Sequence, residues 1–72
     1  MVKELGDGSG GKLIIFKCIP YIVLPHDEGK EHLVLLPNVE NSGATPLGVA
    51  ESLDKAILYV TTLDKDNLLE VA

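Results

Sequence analysis

The sequence predicts an α+β domain, a small antiparallel β-sheet packed on one α-helix in the order β-β-α-β. Three observations predict it. Two β-prone apolar runs, Leu13 to Leu24 and Glu31 to Leu36, flank a charged turn and read as a β-hairpin. Apolar residues recur at helical spacing through Val49, Leu53, Ala56, Ile57, Val60 and Leu63. Leu68-Leu69-Glu70-Val71 is short and apolar enough for a C-terminal edge strand. Residues 1–12 read as a flexible lead-in, and 13–72 as a single small domain.

In chain order, Gly6, Gly8, Gly10 and Gly11 punctuate the lead-in with Asp7 and Ser9 between them. The first strand, Leu13–Ile19, is largely apolar on both faces: Leu13, Ile15, Lys17 and Ile19 on one, Ile14, Phe16 and Cys18 on the other. One face is expected to meet the core, and the other a second layer or subunit. Pro20 marks an edge, bulge or bend, beyond which Tyr21–Leu24 continues the strand. Pro25 to Lys30 makes the turn into the second strand. Pro37 to Gly43 is a loop by composition. Thr45 is placed to cap the helix with Pro46 at its first position, where a missing N–H costs nothing. Gly48 weakens that helix by about 1 kcal/mol relative to Ala, and Glu51 and Lys55 are spaced to pair across one turn. The β-prone run Ile57–Thr62 permits a strand, but the period continuous from Val49 favours helix. Leu63 to Asn67 ends it.

Length and charge bound the function. Seventy-two residues with one cysteine form no internal disulfide, so stability must come from a compact core, self-association or a partner. Two tyrosines and one phenylalanine leave that core to Leu, Ile and Val. Eleven acidic residues oppose six lysines and no arginine, a formal charge of −5. Such a chain is ill suited to a phosphate backbone, so direct nucleic-acid binding is not expected, whereas a basic protein partner is. The longest apolar run holds Lys17 and Pro20 and spans about 12 residues against roughly 20 for a bilayer, so no membrane span is expected. The lone Cys18 and a polar N-terminus fit a reducing, cytoplasmic setting.

The chemistry-bearing patterns resolve into structural readings. Gly6-Asp7-Gly8-Ser9-Gly10-Gly11-Lys12 has most of a phosphate-binding loop, but Leu13 stands where a hydroxyl must hold magnesium, and the loop precedes a strand. Cys18 lacks a visible base and reads as a small buried hydrophobe. His26, Asp27, Glu28, Glu31 and His32 match no zinc spacing and read as a solvated hairpin tip. Asp64, Asp66 and Glu70 resemble the first ligands of a calcium loop without its glycine or its final bidentate acid. No catalytic set, metal or cofactor is expected, and the chain reads as non-enzymatic.

The order of strand, charged turn, strand ending in Leu36-Pro37-Asn38-Val39, loop, then Gly43-Ala44-Thr45 before Val49, Leu53 and Ala56 resembles the HicB-like antitoxin domain. In that family a Pro-Asp-x-Pro-Gly loop and Gly-Asp-Thr lead into a helix on a partial ribonuclease-H-like β-β-β-α-β fold. Here Asn38 and Ala44 stand in place of acids, and the loop is shorter. The resemblance covers roughly residues 13–63. It implies neutralisation of a small basic RNA-cleaving toxin, and, with the sequence ending at Ala72, no expectation of the family's C-terminal DNA-binding segment. An unrelated small interaction or inhibitor protein of phage or archaeal viral origin is the alternative. On the antitoxin-like reading the chain is expected to self-associate, as a dimer. On the predicted helix Leu58 and Tyr59 fall off the main apolar face, and with Leu68 and Val71 of the edge strand they are the candidate partner contacts.

Overall fold

The computed structural model describes residues 2–6, 8, 10–26, 28–38, 40 and 42–71. Its elements run β1 (Val2–Glu4), β2 (Lys12–Phe16), β3 (Ile19–His26), β4 (Glu31–Pro37), β5 (Ala44–Ala50), α1 (Leu53–Thr62), a single 3-10 turn (Lys65–Asn67) and β6 (Glu70–Val71). The strands form one sheet in the order β1-β2-β3-β4-β5-β6, every neighbouring pair antiparallel. Helix α1 lies across β2 to β5 on one face. This corrects the β-β-α-β expectation of one hairpin, one helix and one edge strand: the chain is a six-stranded sheet with a single helix.

The expected first strand divides in two. Lys17 and Cys18 form a two-residue turn with φ of 52° and 65°, both left-handed, between the paired residues Phe16 and Ile19. Left-handed backbone costs roughly 1–2 kcal/mol for a residue with a Cβ. The fold-back repays this by matching Ile14 with Tyr21 on one face and Leu13 with Ile22 on the other. Cys18, expected to be buried, is therefore exposed at the turn.

The prolines sit where a missing donor does no harm. Pro20 pairs only with β2, Pro25 and Pro37 only along one side, and Pro46 only with β4, because each lies beyond the reach of the strand's other neighbour. Leu47 is skipped in the β4–β5 register, where Val34 faces Gly48 and Leu35 faces Pro46, a bulge that bends β5.

Residues 44–50, expected to open the helix from a Thr45 cap, are instead strand β5. Six of its seven residues pair with β4, whereas a helix there would have to nucleate around Pro46 and Gly48. Gly48 is required by contact: a Cβ there would collide with the Glu70 carbonyl oxygen and come within 2.6 Å of Leu68 Cδ1. The helix begins at Leu53, with Ser52 as its cap; the Ser52 hydroxyl accepts from the Lys55 N–H at 3.2 Å, and Asp54 occupies the first turn. Glu51 precedes the helix, so the Glu51–Lys55 pairing across one turn falls away. Residues 57–62 are helical, and α1 ends with Leu63 in left-handed backbone, its N–H bonded to the Tyr59 carbonyl at 2.6 Å.

Within the stretch read as a lead-in, Val2–Glu4 pair with β2, and Leu5 N–H donates to the Gly11 carbonyl at 3.1 Å. At the other end Glu70–Val71 pair with β5 as the expected edge strand. The core lies between α1 and the sheet: Ile14, Tyr21, Val23, Val34 and Ala50 from the strands meet Ala56, Tyr59 and Val60 from the helix. Among the described residues no helix is long and apolar enough to cross a membrane.

Candidate interaction surface

Side chains alternate along a strand, so each strand divides its apolar residues between two faces. The helix-covered face takes Ile14, Tyr21, Val23 and Val34, with Phe16, Leu36 and Leu47 packed around them. The register assigns the other residues to the opposite face. Leu13 faces Ile22, Ile22 faces Leu35, Leu24 faces Leu33, and Leu33 faces Val49. These six residues are half-buried and lie outside the core cluster. Among the described residues no helix packs over them. They form one contiguous apolar patch across four strands, of the kind that marks a contact surface.

Charge is confined to the margins of this patch. Lys3 lies opposite Leu13 on edge strand β1, and Glu70 opposite Val49 on edge strand β6. His26 and Glu31 face each other at the β3–β4 hairpin end. The centre is aliphatic.

The four residues singled out from sequence do not converge. Leu58 is 44% exposed on the outer side of α1, and Val71 is 52% exposed on β6. Tyr59, expected on the surface, is only 7% exposed and belongs to the core. The helix starts seven residues later than Thr45–Pro46 implied, and Tyr59 lies three residues after Ala56 on its buried side. Leu68 packs against the core beside Gly48. The predicted apolar face changes likewise: Leu53, Ala56, Ile57 and Val60 turn inward, while Val49 moves to the open sheet face and Leu63 to solvent.

The rejected chemical patterns have structural roles. Lys12 of the glycine-rich stretch bonds Glu4 Oε1 through its Nζ at 3.2 Å across β1 and β2; Asp7 and Ser9 lie outside the described residues. Register separates the hairpin-tip histidines, since His26 shares a face with Glu31 while His32 faces Pro25 and Ala50 on the other side. Asp27 lies outside the described residues. The Asp64 carboxylate accepts from the Asp66 N–H at 3.0 Å, capping the 3-10 turn. Among the described residues no group of three metal-ligating side chains converges.

One open groove of about 590 Å³ lies where the start of β3 meets the end of β4, lined by the apolar Ile19, Pro20, Leu36 and Pro37 together with Cys18, Asn38 and Glu40. Next to it, the Thr45 hydroxyl donates to Asn38 Oδ1 at 2.8 Å, and Asn38 N–H bonds the Gly43 carbonyl, which closes the 38–43 loop. Gly43-Ala44-Thr45 thus leads into a strand. Comparison with family models, with curated proteins and with solved structures finds no match to this chain.

The open face had a sequence signal. Leu13–Ile19 is apolar on both sides, which anticipates a second contact layer. The residues that form it could not be enumerated, because the fold-back at Lys17–Cys18 and the strand at 44–50 set the register.

Proposed function

We propose that this protein is a non-enzymatic binding module that acts by protein–protein contact, with the open sheet face as its principal contact surface. The observation that supports this reading is the patch formed by Leu13, Ile22, Leu24, Leu33, Leu35 and Val49, aliphatic at its centre and charged only at its rim. The net charge of −5 favours a basic protein as a heterologous partner, engaged through acidic groups off this face, with Glu51, Asp54, Asp64 and Asp66 exposed around α1. Its specific form is antitoxin-like, covering a small basic RNA-cleaving protein; the support is the Leu36-Pro37 to Ala56 resemblance, and Gly43-Ala44-Thr45 departs from it by leading into β5. The lone thiol of Cys18 suits a reducing cytoplasm.

The test compares the wild type with Ile22→Lys and Leu35→Lys, each burying a charge in any interface on this face. Association is read by sedimentation, both for the protein alone and with the product of the neighbouring gene. Loss of self-association in both variants, with circular dichroism unchanged, is the expected result. Unchanged association in both, in every mixture, sinks the reading.

A further inference from the structure

We infer that the open sheet face is occupied by a second copy of this chain, packed sheet on sheet about a two-fold axis running along the strands. The inference rests on the reading of that face as a contact surface and names its occupant.

Three observations favour a second copy. The first is chemistry. The centre of the face is aliphatic, so a basic partner would find no charge to pair with there, whereas a second copy offers the same Leu, Ile and Val. Homodimer interfaces are the more apolar class, and an isologous contact needs only a patch that complements itself.

The second is area. The six strands hold 32 residues, each taking about 3.3 Å of length and about 4.8 Å of width. The footprint is therefore on the order of 500 Å² per copy, within the 28 × 25 × 22 Å extents of the molecule. A pair would bury about 1,000 Å², the size at which specific interfaces begin. Packed sheets keep their strands nearly aligned, within about 30°.

The third is charge placement. The strand order puts β1 and β6 at opposite edges of the sheet. A two-fold axis along the strands lays β1 of one copy over β6 of the other. Lys3 and Glu70 both sit on the open face, each at its own edge, Lys3 in the row of Leu35 and Glu70 in the row of Leu33, so the rotation brings Lys3 of each copy to the edge that holds Glu70 of the other, about 7 Å away along the strands. The two pairs flank an apolar centre, and they select this orientation over the one that would set Lys3 against Lys3. Apart from Glu31 at the hairpin margin, the surplus negative charge stays off the interface.

Sedimentation equilibrium across a concentration series tests the arrangement. The expected mass is twice the 7.7 kDa of one chain. Leu35→Lys is expected to sediment as a monomer with its helix signal retained. Lys3→Glu, on an exposed residue where misfolding is not at issue, is expected to weaken dimerisation about tenfold at low salt, through two like-charge pairs. Adding Glu70→Lys to it should restore most of that loss, whereas Glu70→Lys alone should weaken the dimer as Lys3→Glu does. A monomeric wild type at all concentrations overturns the inference. So does a dimer that survives Leu35→Lys but is broken by Leu58→Lys on the helix. If the wild type is monomeric while Leu35→Lys abolishes binding to the neighbouring gene product, the second copy is refuted and the contact surface stands.

Discussion

The two faces of the sheet are built from the same residue types, one position apart, and differ in what lies over them. In β3, Tyr21 and Val23 are 6% and 0% exposed beneath α1, while Ile22 and Leu24 on the other side are only half-buried. In β4, Val34 is fully buried and Leu33 and Leu35 are not. Apolar content therefore does not distinguish core from surface here; one helix does. A chain of this size can cover one sheet face with its own residues, and among the described residues the second face is left open.

Gly48→Val is the hardest test of how the two faces are joined, because segment 68–71 carries Leu68 to the covered face and Glu70 to the open one. The new side chain meets the Glu70 carbonyl and Leu68, and β6 must detach or shift. Urea unfolding is expected to show a loss on the order of 3 kcal/mol. Val34→Ala and Leu35→Ala then compare neighbouring positions directly. The first empties a buried site and should cost about 2 kcal/mol; the second, measured in dilute protein, should cost under about 1 kcal/mol and act mainly on association. Equal losses at the two positions would mean the open face is covered within the monomer. Ser52→Ala removes the helix cap and should cost about 1 kcal/mol, read as a drop of roughly 4–8 °C in Tm. Cys18→Gly is the smallest expected effect and the only gain. It relieves a left-handed residue at the β2–β3 turn and should add about 0.5–1 kcal/mol, with neither face altered.

The β3–β4 hairpin was legible because its signals are local: two β-prone runs meet at a charged turn that closes through the Gly29 N–H to the His26 carbonyl. So was the helical state of residues 57–62, since Leu53, Ala56, Ile57 and Val60 keep their period whatever precedes them. The helix start was not. Thr45-Pro46 carries a good local start signal, and so does Ser52 with Asp54; local propensity cannot choose between them, because the choice depends on whether 44–50 finds a strand to pair with. The turn at Lys17–Cys18 gave no sign in the chain, for it has neither Asn nor Gly. Of the candidate contacts, Leu58 and Val71 are exposed as expected, and Tyr59 moved inward with the corrected helix boundary.

What the sequence by itself determined is composition and local tendency: a small acidic chain, a hairpin, a helical period through Val60 and strands apolar on both sides; the core, expected to be Leu, Ile and Val, takes both tyrosines as well. Tertiary structure alone decided the strand count, the place where α1 begins and which apolar residues face outward. Those depend on register, and register is set by pairs far apart in the chain, such as Leu33 with Val49 and Gly48 with Val71. A shift of one residue exchanges the two faces of a strand. The covered core and the open sheet face are thus assigned together, by pairing.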